Sequence, residues 1–519
     1  MTVSYLDILA ETIRNNWDQP ALTDFYLTED GKAQDTSRGN HYTYGGMYEE
    51  IVRVADLLTN LGLQKGDHIA ICGINSAHWV IAYLAIAKMQ GVSVTVMHSL
   101  QPDEIARLVD FSDAKALFVD EDLWNELKHQ SLPQIQSVIS LDQWAVLFGE
   151  RQVINHDYII LNGECGFGAV EPDSLAMICF TSGSTGKPKG VMLPYRSVSA
   201  NVAIKFERFI TSKGRISMSW LPMGHVYGLL AEVLQPMCIG IRVVVVRAFE
   251  QSNFIQMVQC VRPAILMTVP IVLENIITNI KHHTTDVQII RNQLLQTLGD
   301  NLDLVGVGGS LLSSELEAVL YSPDIPLGMS YGCTECGPRI ALALADELRL
   351  QSVGIVLPTL QASIAPNGEI LVKGENVMLG YYKDPEATAA KIDKDGWLHT
   401  GDKGYLDEDG YLYVEGRLEQ DIIVLPNGEN IRPDNIEALI NALPEVKESI
   451  VLARDGKLVA IVVPEEAINN QQAAISLRRN VLRTVNPQLP LFSQLYDVEI
   501  TDQPLQRTEK QTIKRYMYK

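Results

Sequence analysis

Ten residues in the first half of the chain have the composition of an anion cradle. Residues 181–190 read Thr-Ser-Gly-Ser-Thr-Gly-Lys-Pro-Lys-Gly. Gly183, Gly186 and Gly190 permit backbone conformations that turn successive N–H groups toward one anion. Thr181, Ser182, Ser184 and Thr185 add short hydroxyl donors, and Lys187 and Lys189 supply the positive charge a polyphosphate attracts. The spacing is not that of a Walker A loop, since no Gly stands five residues before Gly186 and Pro188 follows Lys187. It also differs from the dinucleotide and kinase glycine patterns. Taken alone, the same residues also fit the less favoured reading of a solvated surface loop.

Partners for a nucleotide follow further along. In Tyr331-Gly332-Cys333-Thr334-Glu335, the tyrosine offers a flat π-face for a purine. Thr334 and Glu335 offer hard oxygens of the kind Mg²⁺ takes together with phosphate oxygens. By itself Glu335 reads as a loop carboxylate in a salt bridge. Asp402, in Thr-Gly-Asp, can accept two ribose hydroxyls or simply close a turn. Arg417, after Gly416, can clamp ribose or phosphate, or serve as a surface cation. Cys333 and Cys336 spell C-x-x-C, but there is no second such pair, and the Thr-Glu between them suits a metal. Free thiols are therefore expected. His225 has no partner histidine at helical spacing, so a core histidine is expected rather than a metal ligand.

With these segments in order, the sequence resembles the AMP-forming adenylating superfamily of acyl-CoA synthetases, luciferases and peptide-synthetase adenylation domains. The resemblance spans nearly the whole chain. Residues 181–190 resemble its signature phosphate loop, and Leu-Pro-Met-Gly-His-Val-Tyr-Gly at 221–228 its substrate-side segment, with His225 as the implied gate over the carboxylate pocket. Gly308-Gly309-Ser310 resembles the adenine-binding strand end, and residues 331–335 the aromatic-Gly-x-Thr-Glu motif. Asp402 and Arg417 match the ribose-binding pair. The resemblance implies ATP as substrate and Mg²⁺ held with Glu335 and Thr185. It also implies a carboxylate attack on the α-phosphorus that yields an acyl-adenylate and pyrophosphate. Coenzyme A would then take the acyl group as a thioester.

The C-terminal part departs from the family pattern. Its catalytic lysine is expected in a Pro-x-Thr-x-x-Gly-Lys type of segment. Ungapped alignment here puts Gln511 and Thr512 in place of Gly-Lys, with Lys510 two residues earlier and Lys514 two later. Both remain candidates, with Lys510 preferred. Glu419 or Asp421 is the implied hinge, and Gly428 the implied close approach of the pantetheine arm. No Asp in residues 221–228 is available to pair with an α-ammonium, which favours an acid without an amino group. The segments 221–228, 331–338 and 427–433 look most like those of medium- or long-chain fatty acyl-CoA synthetases. Aryl and short-chain acids remain open. An acyl-carrier protein is the alternative acceptor, and a non-catalytic nucleotide-binding protein is the alternative of another class.

The elements that must position these residues follow from hydrophobic patterning. Helix-like runs alternate with short apolar strands at 92–97, 175–180, 243–246, 264–268 and 304–307, which predicts an α/β fold with a parallel or mixed sheet. Beyond residue 354, Asn-Gly and Asp-Gly turns at 365–369, 393–397 and 407–411 predict hairpins of a β-rich subdomain. Residues 1–417 are read as one large nucleotide-binding domain, with that subdomain at about 354–417. Residues 418–519 are read as a small, mobile α+β domain. At 519 residues the chain exceeds a single core. Its 46% hydrophobic and 20% charged residues describe an ordinary globular protein. A formal charge of −21 argues against nucleic acid as the main partner. The seven cysteines, several in apolar runs, fit reduced thiols in a cytoplasmic protein. No signal peptide or membrane span is expected, at most peripheral membrane contact, and the chain is expected to be a monomer or homodimer.

Overall fold

The computed structural model describes residues 3–28, 39–150, 165–181, 188–204, 214–247, 253–299, 301–309, 311–344, 347–418, 423–424, 430–431, 433–454, 457–468, 470–489, 493–507, 513 and 515–518. The chain divides into two compact units. The first takes Met1–Thr181, Pro188–Thr400 and Gly404–Val414, and the second takes Gly401–Lys403 and Glu415–Lys519.

Two large sheets organise the first unit. In one, six strands run parallel in the spatial order Leu327–Tyr331, Leu304–Val307, Ile265–Thr268, Ile216–Ser219, Arg242–Val246, Pro20–Phe25. They read as near-continuous Val/Ile/Leu/Met segments because both faces of a parallel sheet are covered. The strand order reverses at Ile216–Ser219. The chain first adds Arg242–Val246 on one side and then Ile265–Thr268 on the other. In an α/β sheet such a reversal opens a crevice at the carboxyl ends of the strands, where ligands are placed. Gly308 and the start of residues 220–227 both leave the sheet at that edge.

The second sheet carries the phosphate-loop strand Leu175–Thr181 between Val92–Thr95 and Lys189–Pro194. Between the sheets lies helix Ala77–Lys88, buried over every residue from Ala77 to Ala87. Its apolar residues surround the whole helix, as expected of one covered on all sides. The Ser76 hydroxyl accepts from the Trp79 N–H and caps it. The core around this helix gathers Leu22 and Val243 from one sheet and Ile71, Phe118 and Met177 from the other.

The β-rich texture beyond residue 354 resolves into antiparallel strands. Leu360–Ile364 pairs with Glu369–Gly374 across the Asn-Gly turn, Ile364 opposite Ile370. The turn at 393–397 differs from expectation. It joins helix Pro385–Lys391 to strand Leu398–Leu406, with a single bridge between Ile392 and Leu398. Asp384 capping the Ala387 N–H, with Pro385 at the first helical position, turns that run into a helix.

The second unit contains antiparallel strands Val446–Arg454 and Lys457–Pro464, with Asp497–Ile500 parallel to the latter. Helices Pro433–Asn441 and Gln471–Val485 share its core with these strands through Ile436, Ile440, Val462, Val481 and Val485. Among the described residues no helix is long and apolar enough to cross a membrane.

Candidate active site

Strand Leu327–Tyr331 pairs antiparallel with Ala341–Leu344, and the Ile340 N–H donates to the Tyr331 carbonyl at 2.7 Å. That closes a tight connection, residues 332–340. Only glycine fits at 332, because a Cβ there would lie 2.0 Å from the Pro338 carbonyl oxygen. Thr334–Cys336 forms a single 3-10 turn. Asn201, on helix Tyr195–Val202, fastens this turn by donating to the Cys336 carbonyl and accepting from the Arg339 N–H, both at 3.0 Å. Asn376 donates to the Arg339 carbonyl from a further strand connection. All seven cysteines are free thiols, Cys333 and Cys336 included.

Glu335 is half-buried, and its Oε1 accepts a 2.7 Å hydrogen bond from the Tyr381 hydroxyl. Its carbonyl accepts from the Met378 N–H at 2.9 Å. Tyr381 lies on the short strand Gly380–Tyr381, opposite Val191 of Lys189–Pro194. That strand pairs with Leu175–Thr181 as far as Thr181 opposite Lys189, where the phosphate-loop sequence leaves and re-enters the sheet. Lys189 Nζ stands 4.9 Å from the centre of the Tyr381 ring, a cation–π contact. Burial, then the Glu335 charge, push the Tyr381 hydroxyl well above its ordinary value, so it stays a donor.

The substrate-side segment leaves the sheet after Ile216–Ser219 and is held from three directions. Asn75 donates to the Leu221 carbonyl at 2.8 Å and accepts from the Met223 N–H at 2.9 Å. The Thr95 hydroxyl donates to the Gly224 carbonyl at 3.0 Å. Glu232, fully buried on the π-helix Gly228–Leu234, accepts from the Trp220 and Leu221 N–H groups, both at 3.0 Å. Burial pushes its carboxyl well above the usual range. Within the segment, His225 Nδ1 accepts from the Tyr227 N–H at 3.1 Å, which puts any ring proton on Nε2. The Tyr227 ring lies against Gly308, where a Cβ would stand 3.2 Å from its hydroxyl. Gly309 has a left-handed φ of +89°.

Behind Tyr227 is a cavity of about 10 Å³, lined among others by Met267, Gly306, Ser330 and Arg339. That is room for about one water molecule. Arg339 is fully buried, and burial lowers its guanidinium to about 10; Nη1 donates to Gln235 Oε1 at 2.9 Å.

In the second unit, Asp402 is buried and Arg417 half-exposed, and they form an ion pair at 3.0 Å between Arg417 Nε and Asp402 Oδ1. The two flanks of the C-terminal lysine segment are anchored to the body of that unit. Arg507 pairs with Glu448 and bridges to Ile513, and Arg515 makes a two-pronged contact with Glu437.

The structure thus joins Glu335 to Tyr381, beside strand Lys189–Pro194, and Tyr227, two residues from His225, to Gly308. It pairs Asp402 with Arg417. Ser182, Gly183, Ser184, Thr185, Gly186, Lys187, Ser310, Glu419, Asp421, Gly428, Lys510 and Lys514 lie outside the described residues. Sequence reasoning missed Tyr381, Asn75, Asn201 and Glu232. Only Glu232 left a signal, as the one carboxylate in the apolar run 226–241.

The oxygens present suit a magnesium nucleotide. The Thr334 hydroxyl, next to Glu335, is buried and has no hydrogen-bond partner among the described residues. Among those residues no group of three or more His, Cys, Asp or Glu side chains could hold a metal ion. A single oriented carboxylate is what Mg²⁺ needs when phosphate oxygens and water complete its shell.

Comparison with known proteins agrees. A model described as AMP-binding enzyme matches residues 9–382, and one described as AMP-binding enzyme C-terminal domain matches residues 420–518. The chain belongs to the AMP-binding enzyme family and is an enzyme of the acid–thiol ligase class. Among curated relatives, 4-coumarate–CoA ligase 3 of Oryza sativa subsp. japonica is 26% identical over 493 residues, covering 90% of this chain and 85% of the rice protein. The 4-coumarate–CoA ligase of Vanilla planifolia is 28% identical over 440 residues, covering 79% and 76%. Two solved structures share the fold at 22% identity, each with a TM-score of 0.76. They are ATP-bound MatB from Rhodopseudomonas palustris, covering 99% of this chain and 98% of that one, and o-succinylbenzoate CoA synthetase (MenE) from Bacillus subtilis with its acyl-adenylate, covering 100% and 98%. None of these names a fatty acid, so the expectation of a medium- or long-chain fatty acid has no support from them.

Proposed function

We propose that this enzyme activates a compact carboxylic acid without an α-ammonium group, aryl or short-chain, to an acyl-adenylate and passes it to coenzyme A. The observation that carries the adenylation is Glu335, held by the Tyr381 hydroxyl beside strand Lys189–Pro194. Bound magnesium would neutralise charge where a carboxylate meets the α-phosphate. Glu335 and Thr334 would hold it, with Thr185 from the loop, while Lys189 holds positive charge beside the same strand end. Tyr331, Gly308, Gly309 and Ser310 would bound the adenine, with Asp402 and Arg417 on the ribose. His225 would stand at the acid carboxylate. Lys510, with Lys514 as the alternative, would approach the reacting oxygens, and Gly428 would admit the pantetheine arm after movement about Glu419 or Asp421.

The acid class rests on the curated relatives named for 4-coumarate. Pyrophosphate release should be measured over aryl, short-chain and C12–C16 acids, each with coenzyme A, with acyl-carrier protein and with neither. Thioester on coenzyme A with aryl or short-chain acids is the expected result. Turnover confined to C12–C16 acids would refute the compact-acid reading, and thioester only on carrier protein would refute the acceptor. No pyrophosphate with any acid would favour a non-catalytic nucleotide-binding protein.

A further inference from the structure

We propose that Tyr381 is a positioning residue of the adenylation step, setting the orientation of the Glu335 carboxylate toward the magnesium nucleotide; this rests on the role proposed for Glu335. The argument begins with the backbone. Gly380–Tyr381 is only two residues long, yet it is the edge strand beside Lys189–Pro194, with Tyr381 opposite Val191 and Gly380 opposite Met192. The Tyr381 N–H is held separately, by the Thr388 hydroxyl at 2.8 Å. Gly380 has a φ of +142°, and a Cβ there would lie 2.6 Å from the Thr388 methyl carbon, so this strand and helix Pro385–Lys391 pack as closely as a glycine allows. The main chain of Tyr381 is thereby fixed by the sheet on one side and by a helix on the other.

The side chain then connects two functional segments that are far apart in sequence. Its hydroxyl donates to Glu335 Oε1 at 2.7 Å, and its ring face receives Lys189 Nζ at 4.9 Å. A carboxylate has two oxygens. Tying Oε1 to a phenol whose own main chain is fixed selects among the carboxylate rotamers in advance of nucleotide binding. Partners of this kind, one step removed from the metal, commonly change affinity by about 10–100-fold when lost. Holding Lys189 over the same ring couples the charge at the loop mouth to that orientation.

The test uses the full-length enzyme and Tyr381→Phe, which keeps the ring and removes only the donor. The expected result is a rise of about tenfold in the Mg²⁺ concentration giving half-maximal pyrophosphate release. Calorimetric binding of MgATP should weaken by a similar factor, with AMP binding without metal and the acid KM unchanged. Adding Tyr381→Phe to Glu335→Gln should cost nothing further. Equal Mg²⁺ dependence in wild type and Tyr381→Phe overturns the proposal, as does a loss that adds in full to that of Glu335→Gln. If Glu335→Gln itself leaves MgATP binding and Mg²⁺ dependence untouched, the reading of Glu335 fails first, which separates the two failures. A melting temperature within a few degrees of wild type shows that Tyr381→Phe is folded; if it falls further, Tyr381→His, retaining a ring donor, must restore the Mg²⁺ dependence or the proposal fails.

Discussion

Two carboxylates of this chain, Glu335 and Asp402, are both proposed to meet the nucleotide, one through the metal and one through the ribose. Glu335 stands on a 3-10 turn fastened by Asn201 and Asn376, with its own Oε1 engaged by Tyr381. Asp402 is buried and pairs with Arg417, which stands at a strand end. A group that meets developing charge gains from preorganisation, since reorientation during reaction adds to the barrier. A ribose clamp contributes largely uniform binding, which changes KM more than kcat. The difference in proposed role therefore forecasts a difference in kinetic consequence.

The sharpest contrast is expected from removing each charge. Glu335→Gln should lower kcat for pyrophosphate release on the order of a thousandfold, while AMP binding in the absence of metal is retained. Arg417→Ala should raise the KM for ATP by about tenfold and change kcat much less. Similar kcat losses for both substitutions in steady-state assays would break the comparison.

Next in size come the braces of the acid-side segment. Burial raises the Glu232 carboxyl, and Glu232→Gln keeps a neutral acceptor for the Trp220 and Leu221 N–H groups. Thermal unfolding should change little for it. Glu232→Ala strands both donors and should cost about 2–4 kcal/mol, with a raised KM for the acid. A Glu232→Gln variant as unstable as Glu232→Ala would mean that the charge, not the acceptor, matters.

The smallest effect concerns pH. Burial raises the Asp120 carboxyl to about 6 from an ordinary 3.8. The folded protein therefore binds this proton more tightly than the unfolded chain. The associated stability is full below about pH 4 and is lost as pH rises through 6. Asp120→Asn should then be more stable than wild type at pH 8 by roughly 1–3 kcal/mol and no more stable at pH 4. Denaturant titrations at the two pH values check the sign, and a gain confined to pH 4 would contradict it.

Much of the fold was legible in sequence because its strands are short apolar runs bounded by Gly and Asp. Leu304–Val307 falls on the predicted residues, and Leu175–Thr181 extends its prediction by one. The Asp-Gly turn at 393–397 misled, since local turn chemistry does not reveal whether a strand or a capped helix precedes it. Tyr381 and Asn201 were invisible for another reason. Each touches residues 46 and 135 or more positions away, and nothing in their local sequence distinguishes them from ordinary tyrosine and asparagine. Motif spacing exposes groups that meet substrate, whereas the groups that hold them in place come from tertiary packing.

The central claim is acid-dependent adenylation at the Glu335 corner, and isotope exchange between pyrophosphate and ATP tests it most directly. Exchange should appear on adding an aryl or short-chain acid, without coenzyme A, require Mg²⁺, and fall on the order of a thousandfold in Glu335→Gln. Exchange that persists in Glu335→Gln, or fails with every acid although ATP binds, would contradict the account.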